Sequence, residues 1–170
     1  ILIDRILSRR TSIIIVDAES VKKFTAIQES IPIQKFKLLY HPPLIFESPA
    51  SSRDELCEKL GIPSGARIIL TVSRLVEEKG HRYLIEAAEK VVHEINDAYF
   101  ILVGWGPLKE ALNDDIMRRN IGKRVMLPGP LDIKDILPYA TVYVEPALNV
   151  DIGIALLEAL QAGKAIVATE

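Results

Sequence analysis

The sequence predicts an α/β protein built on a doubly wound parallel sheet. Three observations carry that expectation. Short apolar runs rich in β-branched residues recur along the chain. Most of them lack apolar/polar alternation, which suits strands covered on both faces. Amphipathic helical stretches stand between them, so strand and helix alternate as in βαβ units.

Taken in order, the runs "SIIIV" (12–16) and "FKLLY" (36–40) come first. Residues 41–52, "HPPLIFESPASS", then interrupt both periodicities with three prolines and a serine cluster, and read as a linker. This divides the chain into 1–40, the tail of a preceding domain, and 53–170, the main domain. The stretch 53–60 is a helix with Ser52 as its cap and Gly61 as its stop. Strand 66–72, "ARIILTV", leads into a helix over 79–94 with Leu84, Ala88, Val91 and Ile95 at helical spacing. Strand 98–103 precedes a helix over 107–120, with Pro107 placed for its first turn. Strand 124–127, a short helix over 132–138 capped by Asp132, and strand 141–145 follow. The stretch 153–162 is almost entirely apolar and small, which predicts a deeply buried helix before the last strand, 165–169.

With 170 residues, 49% hydrophobic and 26% charged, the chain has an ordinary globular composition. A formal net charge of −2 and no polybasic tract give no reason to expect nucleic acid or an anionic membrane as partner. One cysteine, Cys57, excludes an internal disulfide and a cysteine metal cage. His41, His81 and His93 show no ligand spacing and read as structural or surface residues. No apolar run reaches the ~18–20 residues that span a bilayer. The N-terminus has no Met and no signal-peptide pattern, and the C-terminus stops where a strand would end, so the chain reads as a fragment.

In an open parallel sheet, ligands bind where strand ends enter helix starts. Three such turns stand out. In "LTVSRLVEEKGHR" (70–82), Arg74 leaves a strand and Lys79–Gly80 open a helix. A guanidinium fork, a mobile ammonium and unpaired helix N–H groups suit a diphosphate; a solvated loop whose cations pair with Glu77 and Glu78 is the plainer alternative. In "LVGWGPL" (102–108), Gly104 and Gly106 flank Trp105, permitting a tight turn or a backbone packed close to a ligand. A third glycine at dinucleotide-binding spacing is missing. In "VEPALNVDIGIALLEALQAGKAIVAT" (144–169), backbone N–H groups near Gly153 and Ile154 can meet an anionic or hydroxyl-rich ligand. Glu158 is a carboxylate inside an apolar helix and needs a partner, either a structural cation or a donor such as a ribose diol.

The order "SRLxxxKG", "VGxGPL", a "PG" before a short helix, then "GIALLEALQAGKAIVAT" closely resembles the C-terminal domain of GT-B glycosyltransferases, in particular the retaining enzymes called family 4 or glycosyl transferases group 1. The resemblance runs from about residue 66 to 169. It implies a Rossmann-like, truncated GT-B C-terminal domain that binds a nucleotide-sugar donor, a UDP-, GDP- or ADP-sugar. Arg74 and Lys79, matching the family's arginine and lysine, would hold the donor diphosphate and stabilise it as leaving group, usually without a metal. Glu158 would bind the ribose hydroxyls, and the backbone at Leu131, after Gly129–Pro130, would lie against the base. Gly104, Gly153 and Ile154 would face the sugar or the diphosphate.

The chain departs from the family where a first glutamate usually precedes the second by seven intervening residues: that position is Val150, and Asp151, one place later, would point elsewhere unless the loop shifts to bring it to the donor. Ala147 and Ala165 also replace the usual serine and proline. The resemblance further implies that the acceptor domain is almost wholly absent, so that this chain alone does not turn over. It places the protein in the cytoplasm or at the membrane periphery, with membrane contact only through missing parts. An unpaired strand at 165–169 would invite self-association. A non-catalytic pseudo-glycosyltransferase or scaffold that keeps the fold is the alternative.

Overall fold

The computed structural model describes residues 6–8, 10–40, 49–148 and 153–169. The chain divides into two compact units, Ile1–Pro43 and Leu44–Glu170. In the first unit, β1 (Ile14–Val16) and β2 (Phe36–Leu38) form a two-stranded parallel sheet. They are joined through α1 (Glu19–Gln28), a helix the sequence reading did not assign. The Lys35 ammonium donates to the carbonyls of Ser8 (2.6 Å) and Thr11 (3.1 Å).

The second unit is the doubly wound sheet. Its elements are α2 (Arg53–Leu60), β3 (Arg67–Val72), α3 (His81–Glu94), β4 (Ala98–Val103), α4 (Lys109–Arg118), β5 (Val125–Gly129), α5 (Ile133–Ile136), β6 (Val142–Glu145), α6 (Ile154–Gln161) and β7 (Ala165–Ala168). All five strands are parallel, in the order β5-β4-β3-β6-β7. From β3 the chain winds outward through β4 to β5, then returns to place β6 on the other side of β3. The order therefore reverses between β3 and β6, and that reversal opens a crevice at the carboxyl ends of the strands.

Local chemistry sets several boundaries. Ser52 and Glu55 form a capping box at the start of α2, and Gly61 closes that helix in the left-handed region at φ 67°. The Arg53 guanidinium ties the helix start to the sheet by donating to the carbonyls of Ser64, Ala66 and Tyr139. Asp132 caps α5 by accepting from the Lys134 amide at 3.0 Å. Two expected starts move. Lys79 ends a 3₁₀ turn, Glu77–Lys79, and α3 begins after it at His81. Pro107 lies in a turn, and α4 begins at Lys109.

Alternation along β3 and β4 sends residues to two cores. Ile68, Leu70, Ile101 and Val103 pack with Leu56, Ile136, Tyr143 and Ala159 on one side of the sheet. Phe100 and Leu102 pack with Leu84, Ile85, Ala88, Val92, Leu112 and Ile116 on the other. Each fully buried aliphatic side chain contributes about 1.5–3 kcal/mol. The buried stripe of α3 is His81, Leu84, Ile85, Ala88 and Val92. It thus includes a histidine, and it ends on Val92 where the sequence reading chose Val91 and Ile95.

The expectation of deep burial for the last helix is corrected. Along α6 only Ala159 is buried, and it packs on the core together with Ala155, Leu156 and Ala162. The helix accompanies β7, the outer strand, where a sheet can cover only one of its faces. On one side β7 is paired, running parallel to β6 from Ala165 beside Val142 to Ala168 beside Glu145, and it is the edge strand of the described sheet. Among the described residues no helix is long and apolar enough to cross a membrane.

His81 is 2% exposed, and its Nε2 lies 3.0 Å from Ser73 Oγ. Burial first, and then the charge of Lys79, lower its pKa from 6.5 to about 4. Between those values the unfolded chain takes up a proton that the folded chain refuses. This contribution to stability is complete above pH 6.5 and is lost as pH falls toward 4. Urea unfolding across this range should show a loss on the order of 3 kcal/mol from His81, and His81→Leu should remove that part of the slope.

Gly61 and Gly80 (φ 65°) are both left-handed, but their surroundings differ. A Cβ on Gly61 meets nothing within 4 Å, whereas one on Gly80 would lie 1.9 Å from the Pro146 carbonyl oxygen. Gly61→Ala should therefore cost about 1 kcal/mol, the conformational term alone. Gly80→Ala should cost about 3 kcal/mol or more, because backbone must move. Equal denaturation midpoints for the two variants would show the close approach to be unimportant.

Candidate functional site

The turns after β3, β4 and β6 are joined backbone to backbone at the crevice. The Ser73 amide donates to Val103 O (3.1 Å), the Leu75 amide to Trp105 O (2.8 Å), and the Leu108 amide to Leu75 O (3.1 Å). On the other flank the Leu148 amide donates to Glu78 O at 2.8 Å. A Cβ on Gly104 would lie 1.9 Å from Ser73 O, and one on Gly106 2.4 Å from Leu75 O. At Gly104 the missing side chain makes room for the chain's own β3 turn.

The two cations of that turn have different environments. Arg74 is exposed, and its guanidinium pairs with Glu78 at 3.0 Å, as in the plainer alternative drawn from the sequence. Both partners are more than two-fifths solvent-exposed, so the pair is weak and the guanidinium is available to another anion. Lys79 is 9% exposed, and among the described residues no carboxylate lies within salt-bridge distance of it. The left-handed Gly80 next to it brings the turn against the Pro146 carbonyl, so Lys79 sits where the β3 and β6 turns meet.

Further along the crevice, Gly129 (φ 93°) ends β5 and directs the chain through Pro130 to Leu131, which packs on the core. Glu158, on the second turn of α6, is half-buried. Burial raises its pKa, the Asp132 charge adds to this, and Lys134 opposes it. Glu158 and the Leu131–Lys134 segment are therefore brought together, a juxtaposition that distance along the chain concealed. Gly153 is the N-cap of α6 and Ile154 its first residue, 49% exposed. Val150 and Asp151 lie outside the described residues.

Three polar residues at the crevice were not singled out as site residues from the sequence: Ser73, His81 and Glu145. Glu145 is 5% exposed at the end of β6, accepts from the Tyr143 hydroxyl at 3.3 Å, and lies under Gly153, whose Cβ would stand 3.7 Å from Glu145 Oε2. Burial, and then the Glu145 charge, drive the Tyr143 pKa upward. The signal for His81 was present in its spacing of three and four residues from Leu84 and Ile85, which puts it on the apolar stripe of α3. Beside this turn a cavity of about 390 Å³ runs between α3 and α4, lined by Gly80, His81, Tyr83, Leu108, Asp115 and Leu148, among others. Among the described residues no group of three His, Cys, Asp or Glu side chains is placed to hold a metal ion.

Comparison with known proteins agrees with this architecture. Residues 52–170 match the family model described as glycosyl transferases group 1. The chain is 31% identical over 146 residues to UDP-Gal:alpha-D-GlcNAc-diphosphoundecaprenol alpha-1,3-galactosyltransferase of Escherichia coli, covering 83% of this chain and 35% of that protein. It is 29% identical over 108 residues to 2-deoxystreptamine N-acetyl-D-glucosaminyltransferase of Niallia circulans, covering 62% and 28%. The chain thus spans about a third of the length of these relatives. Anabaena HepE, solved in complex with UDP and glucose, superposes with a TM-score of 0.83 at 22% identity, covering 98% of this chain and 47% of that one. The five-stranded sheet, its switch point and the match over residues 52–170 lead to one conclusion: the chain belongs to the glycosyl transferases group 1 family.

Proposed function

We propose that this chain is the donor-binding portion of a retaining glycosyltransferase, which moves a sugar from a nucleotide diphosphate to a glycan, lipid or small-molecule acceptor. The observation that carries the reading is Lys79: a largely buried cation with no carboxylate at salt-bridge distance among the described residues, at the switch point of a parallel sheet. A cation so placed costs desolvation energy that an incoming anion offsets. The resemblance of "SRLVEEKG" to the family's diphosphate turn names that anion.

On this reading the nucleotide lies across the carboxyl ends of the strands. Its base stands against the backbone at Leu131, its ribose hydroxyls donate to the Glu158 carboxylate, and its diphosphate reaches Lys79. Arg74 exchanges Glu78 for a phosphoryl oxygen. The amides at Gly153 and Ile154 and the backbone at Gly104 border the sugar and diphosphate, with Asp151 a further candidate for the sugar. As the glycosidic bond breaks, negative charge grows on the departing diphosphate. Lys79 and Arg74 stabilise that charge, a role this reading gives to side chains rather than to a metal ion. The acceptor would be held by a part of the protein outside this chain. A second reading, a non-catalytic domain that still binds nucleotide, is favoured by Val150 at the position where the family commonly has a glutamate.

Calorimetric titration with UDP, GDP and ADP tests the reading. One diphosphate should bind saturably, UDP first in view of the HepE complex with UDP and glucose. Lys79→Ala should weaken it about 10- to 100-fold, the value of one charge-assisted contact. Glu158→Ala should weaken the nucleotide and leave pyrophosphate binding unchanged. A folded sample that binds none of the three would refute the donor site. For the longer protein that contains this chain, hydrolysis or transfer of a bound UDP-sugar would separate the enzyme from the non-catalytic reading.

A further inference from the structure

The turn from Ser73 to Gly80 is fixed at both ends by backbone. Ser73 and Leu75 are hydrogen-bonded to the β4 turn, and Glu78 to the β6 turn. Between these ends stand Arg74 on the surface and Lys79 inside. Leu75 of this turn shares a core cluster with Leu84 and Ile85 of α3, and a polar side chain of the same helix, His81, also meets the turn. His81 is 2% exposed, its Nε2 is 3.0 Å from Ser73 Oγ, the Val76 carbonyl is a further polar neighbour, and Lys79 is close enough for its charge to be felt. The imidazole therefore holds the strand side of the turn at Ser73 through Nε2, and it lies within reach of the Lys79 charge.

Its neighbours on the stripe are Leu84, Ile85 and Ala88. A leucine at position 81 would continue that stripe without desolvating a polar ring, so filling space does not account for a histidine. A neutral ring also braces the turn without placing a second positive charge beside Lys79.

We propose that His81 is a positioning residue for the diphosphate: through its hydrogen bond to Ser73 it holds the 73–79 turn so that the Lys79 ammonium meets the diphosphate in one fixed place. The inference rests on the donor-binding reading above. It assigns to His81 no contact with the nucleoside and no part in proton transfer.

The test titrates the full chain and its variants with three probes: inorganic pyrophosphate, UDP and uridine. His81→Leu should weaken pyrophosphate and UDP about tenfold and leave uridine within about twofold. His81→Gln, whose side-chain amide can still reach Ser73 Oγ, should recover most of the loss. Ser73→Ala should reproduce the loss, and the Ser73→Ala/His81→Leu double variant should bind no worse than the weaker single one, because both remove the same bond. Should His81→Leu not fold, Ser73→Ala and His81→Gln carry the same comparison. Equal weakening of all three probes would mean that His81 merely supports the fold, and no change in any probe would remove it from the site; either result overturns the inference. Uridine binding without pyrophosphate binding would also overturn it while leaving the nucleoside end of the donor site in place. Failure of the unsubstituted chain to bind any probe would overturn the donor reading itself.

Discussion

The site depends on a close approach of backbones. At Gly80 the β3 turn lies against the Pro146 carbonyl, and at Gly104 and Gly106 the β4 turn lies against Ser73 and Leu75. A Cβ at any of the three would come within 2.4 Å of a carbonyl oxygen. Hydrogen bonds from Ser73, Leu75, Leu108 and Leu148 complete the joint. Loops tied to one another in this way move as one body, so side chains on three separate turns keep a common geometry. Preorganisation of that kind is what an anion site requires, because charges and dipoles that need not rearrange act at full strength.

Within that frame the two cations of "SRLVEEKG" take different parts. Lys79 is held inside the joint, next to a neutral imidazole and away from the carboxylates of Glu77 and Glu78, both of which are exposed. Arg74 remains outside, on Glu78, where solvent screens the pair. A buried ammonium attracts an anion more strongly per charge than an exposed guanidinium does, and the guanidinium adds reach and a planar fork. The difference in environment follows from position: Lys79 ends the Glu77–Lys79 3₁₀ turn, and Arg74 precedes that turn.

Much of the fold was legible because it rests on local patterns. The runs of β3 and β4 bury residues on both faces, as their lack of alternation implied. Ser52, Gly61 and Asp132 act as the caps their residue types suggest. The readings that failed are those that depend on neighbours. Residues 153–162 look like a core helix by composition, yet α6 accompanies the outer strand of the sheet and buries only Ala159. Arg53, which no local pattern marks, donates to three carbonyls at the base of the sheet. Its role depends on where the ends of β3 and of the Leu137–Tyr139 turn happen to meet.

By itself the sequence determined the fold class, the strand–helix order of the second unit, the family and the identity of the charged residues at the strand ends, because hydrophobic period, turn chemistry and motif spacing are properties of neighbours along the chain. The tertiary structure alone decided that strand order reverses between β3 and β6, that Lys79 is enclosed while Arg74 is paired, that Glu158 stands with Asp132 and Lys134, and that His81 lies beneath the turn against Ser73. Those are facts about residues far apart in sequence or on opposite sides of one turn. Burial and charge environment are set by the elements that pack around a side chain, and only the folded chain brings those elements together.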